Sequence, residues 1–226
     1  MKLSEFLAQL AVQEGSAEFR GAVVLTALDR PVDHLIQLAL GLGPYHPGQR
    51  SPWSHCFLIA EDFHGPETAI LDCTIRDPKT GGLLWDEPFE ELLKQGFTHL
   101  GSIYTGKVAD YDDPRVTAHG LRLVRNLTTQ DGAAVVAEGK KLQSAGYHYD
   151  IPGLVRELVR LLTGIEIPVG HHLLFCSAFC QAAYRAALGA RGDFAPSIAT
   201  GDVTPDDIWY SALGARFEPR LASGQR

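Results

Sequence analysis

An α+β fold is what this sequence predicts: an antiparallel sheet built mostly from the first half of the chain, and helices gathered in the second. Three observations point to it. Short apolar runs bounded by Gly and Pro cluster ahead of Asp113-Pro114. After that dipeptide, apolar residues recur at spacings of three and four. No internal repeat or low-complexity stretch divides the chain, whose 226 residues suit a single domain. With 45% apolar and 21% charged residues, it has the composition of a globular protein able to bury a sizeable core.

Residues 1–15 carry Leu3, Phe6, Leu7 and Leu10 at helical spacing, which predicts an amphipathic helix packed on the core. They lack the long apolar run and small-residue cleavage site of a secretory leader. Synthesis is therefore expected in the cytoplasm. GAVVLTAL (21–28) reads as a strand, and Pro31 then opens a helix that ends at Gly43-Pro44. Residues 43–52 form a Gly- and Pro-rich loop. WSHCFLIA (53–60) and TAILDCTI (68–75) read as two strands of a hairpin joined by the turn EDFHGPE. A turn and strand remnant (79–85), a short helix (86–96) and a strand (99–108) follow, and residues 108–115 read as a solvated acidic loop.

Beyond Pro114 the pattern predicts a helical segment over 114–164. It is made of PRVTAHGLRLVRNL, DGAAVVAEGKKLQSAG and IPGLVRELVRLLTG, the last capped by Asp150. SAFCQAAYRAAL (177–188) predicts a further helix. Thr204 as N-cap, Pro205 in the first turn and Asp206 and Asp207 behind it start another. Residues 218–226 read as a frayed tail.

Charge and length exclude some functions. A formal net charge of −7 leaves no basic footprint for nucleic acid. No apolar stretch approaches the roughly 18 residues a membrane span needs. There are four cysteines. Cys176 and Cys180 lie four apart in one predicted helix, with Cβ atoms roughly 5–6 Å apart, wider than the roughly 3.5–4.5 Å of a disulfide, so free thiols are expected.

Cys176 falls at the start of its helix, where unpaired N–H groups and the helix dipole favour an anion, lower a thiol's pKa and can hold an oxyanion. The competing reading is packing, since free cysteine is among the most buried residue types; Cys180, one turn on, is expected to be buried and inert. A thiol nucleophile needs a base. His55 opens a strand directly after a Pro-rich loop. Asp72, the one acid in an apolar hairpin arm, is placed to orient an imidazole, or alternatively to pair with Arg76. His171-His172 invites a metal reading, but no CxxC or HxxxH spacing supports it, so neither a metal nor any other cofactor is expected.

The order Gly21-Ala22-Val23-Val24-Leu25, Trp53-Ser54-His55, Leu71-Asp72, Gly146-Tyr147-His148-Tyr149-Asp150 and Phe175-Cys176-Ser177 resembles the circularly permuted papain-like cysteine hydrolases, the YiiX-like branch of the NlpC-type superfamily. The resemblance spans roughly residues 21–187. Relatives often carry Glu at the position of Asp72 and Asp at that of Ala22. The resemblance implies a permuted papain-like fold, an antiparallel sheet packed on the nucleophile helix. In it Cys176 is the nucleophile, His55 the base and Asp72 the residue orienting it. Trp53, Ser54, Ser177 and Tyr149 are expected to bind substrate. It further implies a cysteine peptidase or amidase acting on peptidoglycan peptides. An antibacterial effector exported by a leaderless route and met by an immunity or inhibitor protein is a corollary. The alternatives are acyl transfer on lipid, as in relatives resembling lecithin:retinol acyltransferase, and a non-catalytic binding module retaining the fold.

Overall fold

The computed structural model describes residues 1–76, 83, 101–124, 126–149 and 173–219. Its centre is a six-stranded antiparallel sheet built from β1 (Val23–Leu28), β2 (His55–Ile59), β3 (Ala69–Ile75), β4 (Gly101–Lys107), β5 (Val116–Val124) and β8 (Gly214–Phe217). The spatial order is β4-β3-β2-β1-β5-β8. Two short strands, β6 (His148–Tyr149) and β7 (Leu173–Leu174), pair in parallel beside it. The helices are α1 (Leu3–Glu14), α2 (Pro31–Leu40), α3 (Thr129–Ser144), α4 (Cys176–Leu188) and α5 (Pro205–Tyr210). The α+β class expected from the sequence holds.

Each face of the sheet carries its own core, because side chains alternate along a strand. On one face Cys56, Leu58, Leu71 and Cys73 pack under Phe179, Cys180 and Ala183 of α4 and Val135 and Val136 of α3. Close approach of α3 depends on Gly139: a Cβ there would lie 3.0 Å from Leu71 Cδ1 and 3.3 Å from Phe179 Cζ. On the other face Val24, Phe57, Ile59 and Ile70 meet Leu3, Phe6, Leu7 and Leu10 of α1, the stripe that the helical spacing marks. Ser4 fastens α1 to the turn after β4, its N–H donating to Asp112 Oδ1 at 2.8 Å.

The predicted helix over 114–164 is corrected in its first part. Residues Val116–Val124 form β5, paired with β1 on one side and β8 on the other. Both faces of β5 are buried from His119 to Arg122, so the alternation that would have marked a strand is missing. Gly120 lets β5 run beneath two indoles; a Cβ there would lie 2.9 Å from both Trp209 Cζ3 and Trp53 Cη2. The middle part of the segment is helical, as α3, with Thr128 as its N-cap. The helix expected at 151–164 and its Asp150 cap lie outside the described residues, as do the short helix at 86–96 and His171-His172. No strand was expected at Gly214–Phe217, where β8 completes the sheet.

The expected start of α5 is present. The Thr204 hydroxyl accepts from the Asp207 N–H at 3.2 Å, the Asp207 carboxylate accepts from the Thr204 N–H at 2.8 Å, and Pro205 sits in the first turn. This short helix also holds the loop ahead of β2. Ser51 Oγ donates to Asp206 Oδ1 at 2.7 Å, and the Tyr45 hydroxyl donates to Asp207 Oδ1 at 3.1 Å. Among the described residues no helix is long and apolar enough to cross a membrane.

Candidate active site

His55 is the first residue of β2 and pairs with Thr26 of β1. Alternation turns its ring to the same face as Phe57. Asp72 projects from β3 on that face, one pleat along, because Leu58 pairs with Leu71. His55 Nε2 lies 2.8 Å from Asp72 Oδ1, with the two side chains 2% and 0% exposed. The carboxylate's other oxygen accepts from the Tyr111 hydroxyl at 2.8 Å and from Arg76 Nη2 at 3.5 Å. Arg76 in turn donates to Asp110 at 2.9 Å. The Tyr111 ring lies nearly parallel to the imidazole, centroids 5.9 Å apart and planes at 12°.

Cys176 is the first residue of α4, following Phe175 in extended conformation, so the helix starts where the sequence places it. Its thiol stands beside His55 and Cys56, interacting with both. The two cores therefore meet at the first residue of β2. With the aligned imidazole hydrogen bond running from Nε2 to Asp72, Nδ1 is the nitrogen left to exchange a proton with the sulfur. The thiol and imidazole come from positions more than a hundred residues apart in the chain.

Burial alone would lower the His55 pKa, but the Asp72 charge, then the Cys176 sulfur and the hydrogen bond to Asp72, lift it to about 10. Asp72 is held low: burial opposes ionisation, and the charge and hydrogen bond of His55, with Arg76 and Tyr111 behind them, outweigh it. Cys176 departs from the expectation of a lowered pKa. Hydrogen bonding to Cys56 and burial push its thiol well above the ordinary range, and His55 only partly opposes them. The thiol and the imidazole are thus shifted in the same direction, each holding its proton more tightly than a free group. Cys180 is fully buried and shifted upward by that burial, as expected of an inert thiol, and all four cysteines are free.

The residues expected to bind substrate fall differently. Trp53 is 2% exposed and packs on Trp209 with ring centroids 4.7 Å apart, within the core cluster under α4. Ser54 is buried and commits its polar groups to the backbone: its hydroxyl accepts from the Leu28 N–H at 3.1 Å and its N–H donates to Thr26 O at 3.0 Å, which fixes the approach to His55. Ser177 is buried in the first turn of α4, where backbone N–H groups lack helical acceptors. The Tyr149 side chain lies outside what the structure describes; its backbone pairs with Leu174, two residues ahead of Cys176.

Tyr111 was not anticipated. It lies in the acidic stretch read as a solvated loop, yet Val108–Tyr111 is a 3₁₀ turn in which Val108 and Tyr111 are fully buried. Nothing local in the sequence marks it. Asp72 makes both contacts weighed for it, pairing with Arg76 while it bonds His55. Among the described residues no three His, Cys, Asp or Glu side chains are grouped so as to hold a metal ion. Compared with protein-family models and with curated proteins, the chain matches none.

Proposed function

We propose that this chain is a thiol-dependent amide hydrolase of the permuted papain-like kind, with Cys176 as nucleophile, His55 as acid and base, and Asp72 as the residue that orients His55. The single observation that carries the reading is the convergence of a helix-start thiol, an imidazole and a buried carboxylate, the last two bonded at 2.8 Å. In the reactive form the pair has lost one proton and exists as thiolate and imidazolium. The Cys176 sulfur attacks the substrate carbonyl, and the oxyanion forms against N–H groups of the first turn of α4. Losing one such donor in comparable sites costs about 3–4 kcal/mol in the barrier. His55 Nδ1–H protonates the leaving amine, and then takes a proton from the water that releases the acyl group. Asp72, Tyr111 and Arg76 keep Nε2 occupied, so that only Nδ1 takes part.

Peptide stems of bacterial peptidoglycan are the leading substrate, and delivery into rival cells is the setting in which such an enzyme would act against them. One observation favours a second reading, acyl transfer on lipid. Leu35, Leu38 and Leu42 stand 46%, 47% and 53% exposed along and just beyond α2, the helix that leaves the His55 end of β1. Wild type and Cys176→Ala are compared on purified sacculi and on phospholipid vesicles, with products weighed by mass spectrometry. Release of peptides by wild type alone supports the amidase. Deacylated lipid from wild type alone supports the second reading. Equal activity of the two proteins on either substrate discards the thiol mechanism.

A further inference from the structure

All four cysteines of the chain belong to one buried cluster between the sheet and α4. Cys56 follows His55 in β2, and alternation turns its side chain to the opposite face, towards α4. Its sulfur lies 3.9 Å from that of Cys180, and its thiol interacts with that of Cys176, which belongs to the same buried cluster at the start of the helix one turn before Cys180. Cys73 is engaged elsewhere, its thiol 3.5 Å from the Leu174 carbonyl. Cys176 alone has any exposure, 4% against 0% for Cys56, Cys73 and Cys180. A small oxidant reaching the cluster therefore meets Cys176 first, with the Cys56 thiol as an interacting neighbour.

We infer that Cys56 is a resolving thiol for Cys176, so that oxidation of the reactive cysteine by a hydroperoxide ends in a Cys56–Cys176 disulfide. The inference rests on Cys176 being the reactive thiol. In the first step the Cys176 thiolate attacks one oxygen of hydrogen peroxide, breaks the O–O bond and becomes a sulfenic acid as hydroxide leaves. In the second, the Cys56 sulfur attacks the sulfenic sulfur, the S–S bond forms and hydroxide leaves. Taken together, two thiols and one peroxide give one disulfide and two waters, the thiols supplying the two electrons. Closing the bond requires the sulfurs to come to roughly 2.05 Å, which ties the strand carrying His55 to the mouth of the helix carrying the nucleophile. The linked enzyme is inactive and is restored by a thiol reductant. Without Cys56 the sulfenic acid has no partner in place and proceeds to the irreversible sulfinic acid.

The reduced full-length protein is pulsed with hydrogen peroxide, blocked with N-ethylmaleimide and mapped as peptides without reduction, and iodoacetamide labelling of Cys176 is measured before the pulse and after dithiothreitol. Wild type is expected to give a peptide pair joined through Cys56 and Cys176 and to recover nearly all of its Cys176 labelling. Cys56→Ser is expected to collect two oxygens on Cys176 and to recover almost none. Cys180→Ser keeps the same link as wild type and serves if Cys56→Ser does not fold. A link between any other pair, or sulfinic acid on wild-type Cys176 with Cys56 still free, overturns the relay. A Cys176 inert to both iodoacetamide and peroxide in the folded protein overturns the catalytic reading, and the relay with it.

Discussion

The hydroxyl of Tyr111 donates to Asp72 Oδ2 at 2.8 Å, inside a site where neither residue is exposed to solvent. A buried carboxylate needs donors on both oxygens, and Tyr111 supplies the second oxygen's shorter hydrogen bond, from the same ring that lies over His55. Replacing Tyr111 by Phe keeps the ring and removes the donor. The variant is expected to lose about 1–3 kcal/mol in urea denaturation, the range for a buried polar group left short of a partner. Its Asp72 pKa should rise, and the imidazole resonances followed by NMR should show the His55 pKa falling.

Asp72→Asn tests orientation against charge. The amide keeps the size of the carboxylate and loses the negative charge that lifts His55. The His55 pKa is expected to fall back toward its ordinary value. The rate kcat should drop by about 10²–10⁴-fold, the range for a mispositioned acid–base catalyst. An unchanged imidazole titration in this variant would remove Asp72 from the mechanism.

Stability and activity respond oppositely to alkali. His55 binds its proton more tightly folded, with a pKa of about 10, than unfolded, where it titrates near 6.5. Between those values the native state holds more protons, so stability falls as pH rises. The contribution is complete below 6.5 and gone above 10. The reactive thiolate–imidazolium pair has one proton fewer than the resting pair, and that proton leaves the Cys176 thiol, so turnover rises with pH towards the raised range of that thiol and needs His55 still protonated. Urea midpoints and kcat/KM measured from pH 6 to 10 should diverge. His55→Gln should flatten the stability slope.

His119 gives the opposite sign at acid pH. It is 6% exposed, both ring nitrogens lack hydrogen-bond partners among the described residues, and burial with the nearby N-terminal charge depresses its pKa to about 4. The unfolded chain takes up this proton first, so stability is lost as pH falls from 6.5 towards 4. His119→Leu removes that loss and the unpaired nitrogens together. It is expected to stabilise the fold by about 1–3 kcal/mol, with the larger gain at pH 5, read from denaturation curves at pH 5 and 7.5.

Gly120→Ala addresses the sheet beneath the indoles. The new methyl would sit 2.9 Å from both Trp53 and Trp209, two rigid rings packed on each other. A loss of about 1–3 kcal/mol is expected from overpacking, with altered tryptophan fluorescence in the native baseline. A Tm equal to that of wild type would mean that the rings move aside freely.

Much of this was readable from residue order. The β2–β3 hairpin shows itself through its short apolar runs and the turn between them. His55, Asp72 and Cys176 were each marked by a local oddity: a histidine opening a strand, an acid in an apolar arm, a cysteine opening a helix. β5 was not readable, because Gly120 and Arg122 face one core while His119 and Leu121 face the other, and the polar members erase the period of two. Tyr111 was hidden by its acidic neighbours, which read as a solvated run although Asp110 pairs with Arg76 and Asp112 holds Ser4. The packing of Trp53 on Trp209 was not readable either, since the two indoles lie more than 150 positions apart in the chain. The raised thiol of Cys176 depends on Cys56, which the helix dipole argument does not include.

The clasp between the 43–52 loop and α5 carries a last consequence. Ser51 and Tyr45 are moored to Asp206 and Asp207, only a few residues before β8. A protease cut or premature stop ahead of Thr204 would leave Cys176, His55 and Asp72 all present, yet unmoor the segment that delivers His55. Such a shortened product would hold every residue of the triad and still be a poor catalyst, so the C-terminal border chosen for expression decides whether activity is seen at all.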